Sequence, residues 1–263
     1  MYLSRLRLSS RDRAARAWLA DCHDLHRAVM TGFPGVDGPD ARHQLGVLFR
    51  TDIVGSELHV LVQSREAPRW AFESTSIRKD EAKTLEPLMS SFTAGGQYRF
   101  RLRANPTRRV HQRATLGGDP RELGLDGHWH DPGALHSAAR TGVARRRTAE
   151  HQEAVGKRVE LTREEDRLAW LQRQGERGGF ELASALVLPA IDDPGGRPYL
   201  NSRADPSPRL FSRKGRGLTF GTALFEGTLV IQDSHRFRQA FASGIGPAKA
   251  FGCGLLSLAR PSP

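Results

Sequence analysis

Gly95 to Pro106, GGQYRFRLRANP, holds the strictest alternation in the chain: Tyr98, Phe100 and Leu102 fall on one side, Arg99, Arg101 and Arg103 on the other. A period of two marks a strand with one dry and one wet face, which commits this part of the chain to a half-solvated antiparallel sheet. The neighbouring segments supply the other elements. Tyr2 to Leu8 alternates Leu6 and Leu8 with Arg5 and Arg7 and reads as a first strand. Ala14, Trp18, Cys22, Leu25 and Val29 recur at helical spacing, so a helix is expected from Arg13 to about Met30, with a break near Asp21. His43 to Arg50 and Glu57 to Ser64 form a hairpin around a short Gly-containing loop, and a weaker helical stretch covers Asp80 to Phe92. With the alternating strand last, the order is βαββαβ.

Residues 107–155 break the pattern, being rich in Arg, Gly and His with few aliphatics, and read as an insertion or linker. Beyond them Gly156 to Leu161 reads as a strand, and Thr162 with Glu165 as a capping box for a helix carrying Leu168, Trp170 and Leu171. Gly178 to Phe180 stops that helix. A strand from Phe180, two strands meeting around Glu226 and Gly227, a short helix with Phe237, Ala240 and Phe241, and the apolar GLLSLA complete a second βαββαβ series. The expectation is an α+β chain of tandem ferredoxin-like domains, the topology of RNA-recognition modules, each with an antiparallel sheet. The N-terminal one would span 1–106 and the C-terminal one 156–263.

Forty Lys and Arg, almost all Arg, stand against 29 Asp and Glu, for a net charge of +11. Arginine meets phosphate through a planar bidentate fork, so a polyanionic partner is implied, nucleic acid before membrane. No apolar run is long enough for a membrane span and the N-terminus carries no secretory h-region, which reads as cytoplasmic. Cys22 and Cys253 are far apart with no CxxC, so neither a disulfide framework nor a cysteine zinc site is expected. His111, His128, His130 and His136 lack the spacing of a metal site, and no metal or other cofactor is expected.

Near the C-terminus SGIGPAKAFGCGLLSLA places Gly244, Gly246, Gly252 and Gly254 around Lys249. It lacks the Gly-Lys-Ser/Thr of a phosphate loop, and it closes the chain where a dinucleotide fingerprint would open a βαβ unit. Two readings remain: a cradle of backbone N–H groups with one cation, fit for a sugar-phosphate backbone, or a tight crossover between helix and strand.

The block GIGPAKAFGCGLLSLA, with FRLRANP, GKRV (Gly156 to Val159), ALFEG (Ala223 to Gly227) and LHRAVM (Leu25 to Met30), resembles the CasE family, the CRISPR-RNA-processing endoribonuclease of type I-E systems. The resemblance covers nearly the whole chain apart from about 107–150. It implies two ferredoxin-like domains, metal-independent cutting of the CRISPR repeat RNA hairpin, and retention of the product within the surveillance complex, Cascade, beside its other subunits. It also implies a catalytic histidine matching His26. A tyrosine commonly stands three residues earlier in the family, where this chain has His23. A basic hairpin that enters the RNA groove has its nearest match in Arg213, Lys214 and Arg216.

The chemistry of the residues agrees. RNA is cut when its 2′-hydroxyl attacks the adjacent phosphorus, which needs a base, an acid and a cation on the phosphate, but no metal. Histidine can be either acid or base at neutral pH, and His23 and His26 are spaced to project side by side from one helix edge. His26 is the expected proton-transfer residue, and His23 its partner or a phosphate donor. Arg27 and Lys249 would neutralise the phosphate. Arg101 and Arg103 on the arginine face, Lys157 and Arg158, and the four glycines complete the expected RNA contacts. The competing expectations are a non-catalytic RNA-hairpin binder, with activity lost through His23, and a metal-dependent nuclease, for which Asp192 and Asp193 form only a weak carboxylate pair.

Overall fold

The computed structural model describes residues 1–72, 76–110, 157–188, 197–198, 208–212 and 218–261. In chain order the elements are β1 (Tyr2–Ser9), α1 (Arg13–Ala20), α2 (Cys22–Met30), α3 (Ala41–Gln44), β2 (Leu48–Val54), β3 (Glu57–Ser64), β4 (Arg78–Lys79), β5 (Lys83–Thr84), α4 (Glu86–Ser90), β6 (Gln97–Ala104) and β7 (Thr107–Val110). They continue with β8 (Lys157–Glu160), α5 (Glu164–Gly178), β9 (Phe180–Leu188), β10 (Arg197–Pro198), β11 (Pro208–Ser212), β12 (Leu218–Gly221), β13 (Ala223–Ile231), α6 (Ser234–Ser243) and β14 (Leu256–Ala259). Met1–Thr107 with Glu160–Pro263 make one compact unit, and Arg108–Val159 a second.

The first sheet runs β2-β3-β1-β4, with β5 also on β1, all antiparallel. Its dry face, including Leu6, Leu8, Phe49, Val60 and Val62, packs against Ala15 and Trp18 of α1 and Leu25 and Val29 of α2. The second sheet runs β14-β6-β13-β9, again antiparallel. Beneath it Phe100, Leu102, Trp170, Phe225, Phe237 and Phe241 form the second core. Both sheets have the ferredoxin-like strand order, and the fold is α+β with tandem ferredoxin-like domains.

Pairing corrects the expected boundary. β6 does not close the first sheet; it is the first strand of the second, between β13 and β14. The second domain therefore begins before β6, and residues 107–155 are inserted inside it rather than between domains. In the first sheet the corresponding edge is made by the short β4 and β5. The GKRV segment, expected as a sheet strand, is β8, which pairs with β7 in a separate two-stranded ribbon. Alternation tells that a strand is half-buried but not which sheet buries it.

Two local readings also change. Helix α5 starts at Glu164 with Arg163 at its N-cap, without a side-chain cap, so Thr162 and Glu165 form no capping box there. Glu226 and Gly227 lie inside β13, not in a turn; the strand break falls at Thr222. Glycine is required at 227 because a Cβ there would lie 2.1 Å from the Ser184 carbonyl oxygen on β9. Other expectations hold: the helical stripe breaks at Asp21 into α1 and α2, and Gly179, with φ of 74°, ends α5.

The close approach predicts that Gly227→Ala, by forcing β13 and β9 apart, costs about 1–3 kcal/mol of stability, as overpacking does. A chemical denaturation series checks this, with Ser184→Ala as a nearby control expected to change little.

Candidate active site

Helix α2 is fixed at its start by Asp21, whose carboxylate accepts the His23 amide at 2.8 Å, and on its inner face by Cys22, Leu25 and Val29. That leaves His23 and His26 on the edge between core and solvent, both half-buried, with ring centroids 6.1 Å apart. The His26 ring also rests 6.3 Å from Phe49 of β2. Its Nδ1 is buried with no hydrogen-bond partner, so Nε2 is the nitrogen open to a ligand. Burial, then the positive neighbours His23 and Arg42, holds the His26 imidazole below the usual histidine range. The ring is therefore neutral at neutral pH, as a general base must be.

The glycine-rich segment packs against α2 through a 3₁₀ turn, Lys249–Phe251. Cys22 and Cys253 are both reduced and buried, and they form a small apolar cluster with Ala248 and Phe251. Burial pushes the Cys22 thiol up to about 12, which leaves it an inert packing group. Ala248, at φ 57°, is the one non-glycine at positive φ among the described residues, and this strained residue sets the direction of Lys249. Lys249 is half-buried and has no carboxylate or hydrogen-bond partner among the described residues; burial and Arg42 lower its pKa.

The crossover reading of the glycines is the one their packing supports. A Cβ on Gly244 would meet Leu48 at 2.8 Å, and on Gly246 Trp170 at 2.8 Å. Gly252 sits over the Phe49 ring, and Gly254 against the Ile245 carbonyl and the Lys249 stem. The amides of Gly244 and Gly254 donate to Ala240 and Arg103 carbonyls. As phosphate donors these two glycines are thus corrected: their N–H groups are spent in holding the crossover.

Arg103 is also corrected. It is 1% exposed and donates to Thr51 Oγ1 at 2.9 Å, so it ties the second sheet to the first and cannot meet RNA. Arg101 is partly exposed and lies 3.2 Å from Glu226. It does not join His26 but lines a groove of about 480 Å³ with Arg99, Glu226, Thr228 and Ser257. Arg27 is exposed and ion-paired with Asp24 on its own helix, which compensates its charge. Arg158 is exposed on β8; the side chain of Lys157, and Arg213, Lys214 and Arg216 entirely, lie outside the described residues, as do Asp192, Asp193 and the four histidines of the insertion. The strand leading into the basic hairpin, β11, does pack against α2. Among the described residues no group of three His, Cys, Asp or Glu is placed to hold a metal ion.

The sequence reading missed Arg42 on α3, half-buried beside both His26 and Lys249. It lies between turn-forming residues and a strand, and no spacing connects it to α2.

A family model described as CRISPR associated protein matches residues 1–260. The chain belongs to the CasE family. It is 28% identical over 259 residues to the CRISPR system Cascade subunit CasE of Escherichia coli strain K12, covering 98% of this chain and 99% of that protein. It is 28% identical over 266 residues to the CRISPR-associated endoribonuclease Cse3 of Thermus thermophilus, covering 98% and 100%. A solved structure of CRISPR endoribonuclease Cse3 bound to 19 nt RNA matches with a TM-score of 0.68 at 25% identity, over 99% of this chain and 100% of that one. In this CasE-family chain the glycine-rich block, the most specific part of the resemblance, and His26 fall in one site because α2 and the crossover pack together.

The electrostatics predict that the His26 imidazole titrates below pH 6.5 by NMR and that its midpoint rises in His23→Phe, which removes a positive neighbour. Because the folded state then binds fewer protons than the unfolded chain, acidification through that window also lowers stability, and less so in His26→Gln.

Proposed function

We propose that the chain is a metal-independent endoribonuclease that binds the repeat hairpin of CRISPR precursor RNA and cuts it to mature CRISPR RNA. It then stays on the stem as a subunit of the type I-E surveillance complex in the cytoplasm. The observation that carries the reading is His26: a half-buried imidazole kept neutral by its surroundings, with Nε2 open, on a helix packed by the crossover that carries the unpaired cation Lys249. The RNA-bound Cse3 relative, matched along its whole length, supports RNA as the substrate, and the E. coli Cascade subunit supports the assembly. No helix among the described residues is long and apolar enough to cross a membrane.

In the reaction His26 Nε2 takes the 2′-hydroxyl proton as the 2′-oxygen bonds to the adjacent phosphorus. The bond from phosphorus to the 5′-oxygen breaks, and that oxygen takes a proton from the partner acid, His23 in this reading. The products are a 2′,3′-cyclic phosphate and a 5′-hydroxyl. Lys249 meets the charge on the phosphate. Stem affinity comes from the basic surface, to which Arg158 and the hairpin arginines and lysine are assigned, and falls steeply with salt.

Cleavage of a labelled repeat hairpin in excess chelator tests this. Wild type is expected to cut and to leave a cyclic phosphate. His26→Ala should bind normally but cut about 10²–10⁴-fold more slowly, and His23→Ala should be slowed less. Binding without cleavage by wild type would leave the non-catalytic hairpin binder, and loss of activity with the chelator would mean a metal mechanism.

A further inference from the structure

Arg42 acts electrostatically on both His26 and Lys249, and the crossover that carries Lys249 packs on the His26 helix; both cations are half-buried, and among the described residues no carboxylate is paired with either. Lys249 comes from the crossover and Arg42 from α3. Arg42 is held by its own strand entry: the Val47 amide donates to the Arg42 carbonyl at 2.9 Å, and Arg42 Nη1 donates to the Val47 carbonyl at 3.0 Å. This one bond leaves Nε and Nη2 without a protein acceptor among the described residues. Phe49, two residues beyond Val47, is a shared neighbour that touches both the His26 ring and Gly252. The tether to Val47, the contact of His26 with Phe49 and the packing of the crossover on α2 and β2 gather Arg42, His26 and Lys249 in one region from three separate elements.

Two like charges taken partly out of water with no counter-ion are unfavourable in the free protein. Such a pair suits a ligand bearing two negative charges. A phosphodiester carries one, but during 2′-hydroxyl attack the non-bridging oxygens approach two. A second cation is then worth most in the transition state, where it raises rate rather than affinity. We propose that Arg42 is a further catalytic residue: with Lys249 it clasps the non-bridging oxygens of the scissile phosphate while His26 moves the proton. The inference rests on the ribonuclease reading above. It also separates Arg42 from Arg27, whose charge is already met by Asp24.

The charges found to act on His26 are His23 on its own helix and Arg42 on α3; α2 also carries Asp24 and Arg27, and the crossover packed against it carries Lys249. Removing the Arg42 charge should raise the His26 midpoint, so that the acid limb of the pH–rate profile moves to higher pH.

The test uses the full chain, Arg42→Gln and Arg42→Lys, with thermal melts to confirm folding. In single-turnover cleavage of the repeat hairpin, Arg42→Gln is expected to slow by about 100-fold with hairpin affinity nearly unchanged, and Arg42→Lys to recover part of the rate. In parallel, inorganic phosphate is titrated while the His26 imidazole resonances are followed by NMR. Wild type and Arg42→Lys should show a saturable shift, and Arg42→Gln should lose it. Wild-type cleavage by Arg42→Gln, or equal loss of binding and rate, would overturn the proposal. If the wild type cuts no hairpin, the ribonuclease reading fails. The Arg42 clasp is then decided by phosphate, and equal affinity in Arg42→Gln, or no saturable shift in wild type, would overturn it.

Discussion

The contact between α2 and the glycine-rich crossover determines where the candidate chemistry can occur. Cys22 and Cys253 meet beneath it with Ala248 and Phe251, and Gly244 and Gly252 let the chain pass directly over Leu48 and Phe49. A side chain at Gly244 would push the crossover outward, and four positive-φ glycines allow the reversals that bring Lys249 back toward the helix. The glycine density thus serves catalysis indirectly. It spends backbone N–H groups internally and delivers one cation.

That contact crosses from the second domain to the first, so the site depends on how the two sheets are joined. Arg50 of β2, 3% exposed, is ion-paired with Asp52 and donates to the Arg101 carbonyl at 3.1 Å and Ser257 Oγ at 2.9 Å on the second sheet. Arg103 reaches back to Thr51, and Gln63 donates to the Phe241 carbonyl at 2.9 Å. These buried polar links fix register as well as adding stability, because each leaves an unsatisfied group if the sheets slide. Part of the arginine excess is therefore structural, and net charge alone overstates the RNA-binding surface.

The sequence showed the element types well where one face is buried. The break at Asp21, the edge position of His23 and His26, and the strand character of Gln97–Ala104 all follow from periodicity. It did not show partners. Alternation in β6 is the same whichever sheet receives it, so the domain boundary was misplaced, and Arg103 looks like Arg101 until Thr51 is seen beside it. The glycine at 227 imitates a turn because close backbone approach and positive φ select the same residue. Arg42 was illegible because long-range packing, not spacing, brings it to His26.

The most direct test of where the reaction takes place is a crystal structure of the full chain with a repeat hairpin carrying a 2′-deoxy sugar at the cleavage position, which binds but cannot react. The scissile phosphate is predicted to lie within hydrogen-bonding distance of Lys249, with the 2′ carbon facing His26 Nε2. A scissile phosphate seated away from α2, for example in the groove lined by Arg99 and Arg101, would contradict the assignment of His26 and the crossover as the catalytic centre.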